Sequence, residues 1–279
     1  MIVFSVQLSG QNSTKVIVKS ATQIIETIIK NSGAQLIPNT VDVIKEGDPE
    51  TPVKGIVTCM FATMDVLKQA VAKNCNLIIP HEPLYYNHLD EKERFQNDPV
   101  FLEKQHYIKD HKLVIWRFHD YIHQMKPDGI LSGMVNKLGW KDYVVNGHLD
   151  QFLLPQTDLT GLLKSLKKTF PENAFYVIGK PGMELSKVRL AAGAPGSATH
   201  ITLLSDDDVD VVIAGESPQW ETYEYMRDAV AQGRNKAIVF IGHIPSEEAG
   251  MEFCSDWLKT FLTDLPVYFV KCGPSYWTY

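Results

Sequence analysis

Short apolar runs alternate along this chain with stretches whose apolar residues recur at helical spacing. "TKVIVKSATQIIETIIKNSG" carries Ile24, Ile25, Ile28 and Ile29 at that spacing and stops at Gly33, which predicts a helix of a few turns. "VKGIVTCMFATMDVLKQAVAKNCNLIIPHEP" then reads as a strand over 53–60, an amphipathic helix over 64–73 and a second strand over 77–79. That is a βαβ unit, which implies a parallel pair joined by a right-handed crossover. A helix in "DPVFLEKQHYIKDH", a strand in "KLVIWRF" and a helix in "GILSGMVNKLGW", ending near Gly139, continue the alternation.

From about residue 147 to 181 the pattern changes to loops, a Leu/Lys-rich helix in "LTGLLKSLKKTF" and Pro/Gly turns, which places a lobe boundary there. Beyond it, "KVRLAAGAPGSATH", "VDVVIAGESPQWETYEYMRDAV", "KAIVFIGHIPSEEAGMEFCSDWLKTFL" and "LPVYFVKCG" again alternate strand and helix. The expected fold class is α/β, with two α/β lobes of mostly parallel strands, over 14–148 and 149–279.

Composition narrows the functional classes. At 279 residues and 44% hydrophobic, the chain has material for a substantial core, and its net charge of −6 argues against broad capture of nucleic acid. Cys59, Cys75, Cys254 and Cys272 form no C-x-x-C pair, so neither a zinc ribbon nor a dithiol motif is written here. No apolar run approaches the ~20 residues of a membrane span. A cytoplasmic protein without membrane partners is expected, or an exported one if "MIVFSVQLSG" is the remnant of a signal peptide rather than a leading strand.

The chemistry concentrates where apolar runs end. "NLIIPHEPLYY" runs into His81 and Glu82, "HKLVIWRFHDYIH" into His119, Asp120 and His123, and "KAIVFIGHIPSEE" into His243 and Glu247. The carboxyl ends of parallel strands share one edge, where α/β proteins bind ligands, so these residues can meet. His119 and His123, like His243 and Glu247, stand four apart and share a face if helical, with Ser246 or a neighbour as the cap of the later helix. Several imidazoles and a carboxylate able to bridge are the inventory of a two-metal site. Any single histidine is more often structural, and His88, His106, His111, His148 and His200, in polar or loop contexts, read as solvated. "GAPGSATH" is too short for a phosphate loop, although Gly193, Gly196 and Ser197 could offer N–H groups to an anion.

An apolar strand into His-His-Pro-Leu, a second into His-x-x-x-Asp and a late one into Gly-His-x-x-Ser-Glu mark the Nif-three-like dinuclear metal-centre proteins, also known as GTP cyclohydrolase type-two homologues. This chain resembles that family from about Asn39 to its C-terminus. "GHIPSEE" matches the late motif in full. In "PHEPL", however, Glu82 stands where the family has its second histidine, and in "HDYIH", His123 stands at the aspartate position, with Asp120 as the alternative. The two departures look reciprocal. After the acidic turn in "DVVIAGESPQWE", Gln219 and Trp220 replace a family histidine.

The resemblance implies two divalent ions (zinc, iron or manganese) in a cleft between the lobes, held by His81, Glu82, His123, His243 and Glu247. Glu247 would bridge, Glu82 and His123 would complete one ion, His81 and His243 the other, and His119 would be a catalytic proton shuttle. It further implies a small-molecule substrate, a purine nucleotide or other phosphorylated compound hydrolysed by GTP cyclohydrolase-type chemistry, and a ring-like homo-oligomer. A metal-binding structural or regulatory protein without turnover would use the same ligands.

Overall fold

The computed structural model describes residues 19–277, so the N-terminal run "MIVFSVQLSG" and the first residues of the predicted opening helix lie outside the described residues. In chain order the first part of the protein contains α1 (Ala21–Ser32), β1 (Ile44–Glu46), β2 (Ile56–Cys59), α2 (Met64–Ala72), β3 (Leu77–Pro80), α3 (Pro99–Asp110), β4 (Val114–Trp116), α4 (Asp120–Gln124) and α5 (Gly129–Leu138). The second part contains β5 (Val144–Val145), β6 (His148–Asp158), α6 (Leu159–Thr169), β7 (Tyr176–Ile178), β8 (Glu184–Ala191), α7 (Ser197–Ser205) and β9 (Val211–Ala214). It ends with α8 (Glu224–Ala231), β10 (Ala237–Phe240), α9 (His243–Lys259) and β11 (Val267–Phe269).

The strands form two sheets, ordered β1-β4-β3-β2-β11 and β5-β6-β8-β9-β10-β7. In the first, only the β1–β4 pairing is antiparallel, and the expected βαβ crossover joins β2 and β3 through α2. The second keeps β8, β9 and β10 parallel and adds antiparallel strands at its edges. Alternate residues of the central strands enter separate cores. Leu77, Ile79, Val114 and Trp116 pack with α1 and α9, whereas Ile78 and Ile115 pack with α2 and α3. In the second sheet, Val211 and Val239 face α5 and α6 while Val212 and Ile238 face α7 and α8. Burial on both faces is what turned these strands into continuous apolar runs.

Two features depart from the expected division of the chain. β6 occupies 11 residues that read as loop, because it is half-buried, contains Pro155 and shifts register between Leu153 and Thr157. Its apolar pattern is therefore short and broken. β11, expected in the second lobe, instead pairs in parallel with β2 of the first sheet. The chain thus returns to its first lobe at the end, and α9 bridges the two by packing on α5, β2 and β11. A Cβ on Gly133 would lie 2.2 Å from the Ala249 carbonyl oxygen, so α5 and α9 approach backbone to backbone.

Candidate metal centre

β3 delivers the first ligand pair. Its pairing with β2 runs past the strand end, because the N–H groups of His81 and Glu82 donate to the carbonyls of Cys59 and Met60. His81 is fully buried, and its Nδ1 donates to the Phe118 carbonyl at 3.2 Å. A carbonyl can only accept, so Nδ1 carries the proton and Nε2 carries a lone pair. That Nε2 has no hydrogen-bond partner, and burial, aided by His123 and His119, holds the ring well below the usual imidazole range. It faces Glu247 Oε2 at 3.7 Å.

β4 and α4 bring the next group. The buried Asp42 carboxylate accepts the N–H groups of His119, Asp120 and Tyr121 at 2.8–2.9 Å and so fixes the start of α4. Burial still raises the Asp42 pKa against those bonds. One turn of helix then places the His119 and His123 rings 5.4 Å apart, with His81 4.7 Å from the first and 5.2 Å from the second. Nδ1 of His119 donates to Asp120 and Nδ1 of His123 to Asp128, both at 2.9 Å. Burial disfavours the charged form of His123, but the Asp128 carboxylate outweighs it and raises the pKa.

α9 brings the third. Gly242 adopts φ 98°, so the helix starts at His243 itself and Glu247 falls on the same face. His243 Nδ1 donates to Glu216 at 3.1 Å, and its Nε2 lies 3.0 Å from both Glu82 Oε1 and Glu247 Oε2. Burial opposes the charged imidazole, yet hydrogen bonds to Glu216, Glu247 and Glu82 push its pKa up to about 12. Burial likewise works against the Glu82 carboxylate, but the hydrogen bond to His243, then the His81 ring and Arg117, bring its pKa down to about 2. Ser246 is not the cap: its Oγ donates back to the His243 carbonyl and accepts the Gly193 N–H. Gly193 is thereby committed, and a Cβ on it would strike Glu247 Oε1 at 2.4 Å.

Each of the four imidazoles is anchored through Nδ1, three of them by carboxylates, which is how proteins orient metal-binding histidines. Ligand atoms of His81, His119 and His123 lie within 4.8 Å of one another, as do those of His81, Glu82 and Glu247. The unpartnered Nε2 lone pair of His81, facing a carboxylate oxygen at 3.7 Å in a buried site, is a donor pair that a cation between them would satisfy. Bonds of ~2.0–2.2 Å to one ion put two ligand atoms about 3–4 Å apart. The donor set therefore fits a metal.

The expected ligands converge, but their grouping differs from the one expected. His81 joins His119 and His123, while Glu82 joins His243, with Glu247 facing both groups. The exchanges at 82 and 123, read as reciprocal at one ion, belong to different groups. His119 stands among the ligands rather than apart from them, and Asp120 turns away to Thr40 and Val41. His88, His106, His111 and His148 are exposed as read, whereas His200 is fully buried against Thr222. Trp220, in the family histidine's region, is 77% exposed. Reading the sequence missed Arg117, Asp42, Asp128 and Glu216. For Arg117 the signal was present, a lone cation inside the apolar run "LVIWRF".

Arg117 is fully buried. Its guanidinium donates to the carbonyls of His81 at 3.0 Å and His88 at 2.6 Å and to Glu82 Oε2 at 3.2 Å. Beside the His243 group opens a cavity of about 1190 Å³ lined by Glu216, Tyr223, Phe240, Tyr276, Lys137 and Lys271 among others. Among the described residues, no helix is long and apolar enough to cross a membrane.

Comparison with known proteins agrees with this architecture. A Clostridium acetobutylicum protein named GTP cyclohydrolase 1 type 2 homolog is 33% identical over 94 residues, 34% of each chain. A protein of the same name from Chlamydia pneumoniae is 24% identical over 80% of this chain and 85% of its own. The crystal structure of a Bacillus cereus protein related to NIF3 superposes with a TM-score of 0.74 at 14% identity, covering 94% of this chain and 99% of that one, a likeness of fold. Residues 16–274 match DUF34/NIF3 (NGG1p interacting factor 3), and with strand-end ligands, two sheets and a returning C-terminal strand, the chain belongs to that family.

Proposed function

We propose that the protein is a dinuclear metal-dependent hydrolase acting on a nucleotide or another phosphorylated small molecule, with a GTP cyclohydrolase-like ring opening among the reactions to test. The observation that carries this reading is the buried, unpartnered Nε2 of His81 facing Glu247 Oε2 at 3.7 Å, with three further Nδ1-anchored imidazoles around it. His81, His119 and His123 would hold one divalent ion, Glu82 and His243 the other, and Glu247 both. Zinc, iron and manganese suit imidazole and carboxylate donors. When bound, such ions supply Lewis acidity and an activated water.

The chain's own residues have separate tasks. Asp120, Asp128 and Glu216 hold imidazole protons on Nδ1 and keep the opposite nitrogens facing inward. Burial of His81 keeps bulk water from competing for its lone pair. In the adjoining cavity, Lys137 and Lys271 answer a phosphate, while the stacked rings of Tyr223 and Phe240, 4.3 Å apart, offer an aromatic wall for a base. A ring-like homo-oligomer, the remaining expectation from the resemblance, is part of the proposal and is tested by native mass measurement.

The test is elemental analysis of protein purified without chelators, followed by a panel of nucleotides, phosphoesters and cyclic amides with and without metal. Metal-dependent turnover is expected. Two bound ions without turnover on any class would favour the binding-protein alternative.

A further inference from the structure

We infer that Arg117 is the charge partner that lets a carboxylate stand at position 82, so that the Glu82–His243–Glu247 group forms a carboxylate-rich position suited to a harder ion than its three-imidazole neighbour. This inference rests on the dinuclear metal reading above. It replaces the idea that His123 compensates for Glu82. His123 packs with His81 and His119 and is anchored by Asp128, whereas Glu82 faces Arg117 and His243.

The geometry divides the two Glu82 oxygens. Oε2 accepts from Arg117 at 3.2 Å, which leaves Oε1, 3.0 Å from His243 Nε2, as the oxygen facing the group. The guanidinium is itself fixed by the main-chain carbonyls of both His81 and His88, so the residue that orients Glu82 also braces the backbone carrying its neighbouring ligand. The nearby Asp90 does not replace Glu82 as a counter-charge. It lies 3.9 Å from Arg117 but 3.1 Å from Lys45, and its other oxygen accepts the Tyr85 N–H. Taken together, Arg117 and Lys45 balance Glu82 and Asp90. Substituting a neutral imidazole at 82 leaves two buried cations, Arg117 and Lys45, sharing the one Asp90 carboxylate beside a dication, and removing one member of a buried pair is the costly way to break it. Substituting Arg117 as well removes that repulsion and leaves an imidazole ligand in place.

The donor sets then differ in kind. Three imidazoles suit zinc or iron, while two carboxylates with one imidazole shift relative preference toward manganese. Arg117 acts through Glu82, whose Oε2 it holds, and is a positioning residue.

The experiment loads metal-free wild type, E82H, R117M and E82H/R117M with zinc and then with excess manganese, reading metal content by elemental analysis and bound manganese by electron paramagnetic resonance. Wild type is expected to keep zinc and take up manganese. E82H is expected to bind its second ion on the order of 10–100-fold more weakly, the usual scale for disturbed metal surroundings. E82H/R117M is expected to recover the second ion, now with a preference for zinc. If E82H/R117M does not fold, E82H/R117Q, which keeps a donor for the main-chain carbonyls, carries the same expectation. Equal second-ion binding by E82H and the double variant would overturn the role of Arg117 while leaving the metal reading intact. A wild type that takes up no metal would overturn both.

Discussion

Gly133 of α5 and Gly250 of α9 meet without side chains between them: a Cβ on Gly133 would lie 2.5 Å from the Gly250 Cα, and one on Gly250 would lie 2.5 Å from the Ile130 Cα. This crossing sets where α9, and with it His243 and Glu247, sits over the ends of β3 and β4. Gly250→Ala forces the backbones apart and is expected to cost about 1–3 kcal/mol, the usual range for overpacking. Because the shift is passed along α9 to its first turn, retained metal should fall as well. Urea unfolding of the metal-free protein measures the first effect and elemental analysis the second. Unchanged metal content alongside lost stability would mean that the first turn of α9 is positioned locally, by Ser246 and Gly193.

His119 separates two chemical roles. Its ring stacks on His81 at 4.7 Å and its Nδ1 is committed to Asp120, which leaves Nε2 for an ion. His119→Ala is expected to lose the ion of the three-imidazole group while the Glu82–His243 group still loads. Retention of both ions with hydrolysis slowed on the order of 10² to 10⁴-fold would assign it instead as a proton shuttle. Metal content and single-turnover rate on the same preparation tell the two apart.

What the sequence made legible follows from burial. Strands covered on both faces, such as β3 and β10, show as unbroken apolar runs, and the histidines that follow them stand out because a polar residue ends each run. β6 was hidden because its buried positions are few, Phe152 and Leu154, and its register shifts. The grouping of ligands was hidden for another reason. Neighbours in sequence, His81 and Glu82, turn toward different groups at a strand end, and which way each turns is set by Phe118 and Arg117, more than thirty residues away. Asp42 carries no local signal at all: its role as the anchor of α4 exists only once β4 is folded beside it.

His243 predicts a pH dependence with a definite sign. Its pKa is raised from 6.5 to about 12 in the metal-free fold: burial opposes the charge and the Glu216, Glu247 and Glu82 carboxylates prevail. A raised pKa means that the protonated ring stabilises the folded state, in full below about 6.5 and progressively less as pH rises toward 12. Thermal stability of the metal-free protein should therefore decline from pH 6.5 upward, and His243→Gln should flatten that decline. Metal needs the Nε2 lone pair, so uptake near neutral pH should release a proton and weaken as pH falls. Calorimetry in buffers of different ionisation heat measures the release. Uptake with no proton released would show that Nε2 is bare before metal arrives.

Glu247 should be the most damaging single position. Its Oε2 lies 3.0 Å from His243 Nε2 and 3.7 Å from His81 Nε2, so one carboxylate faces both ligand groups. Gly193 leaves the room that Oε1 occupies, since a Cβ there would come within 2.4 Å of it. Glu247→Gln keeps the shape and removes the charge that both positions share. Loss of both ions and of hydrolysis is expected together, whereas Glu82→Gln, confined to one group, should leave the three-imidazole position loaded. Elemental analysis of the two variants beside wild type decides the matter. If Glu247→Gln kept the ion held by His81, His119 and His123 at wild-type affinity, Glu247 would serve one position only, and the ion among the three imidazoles would draw its negative charge from elsewhere.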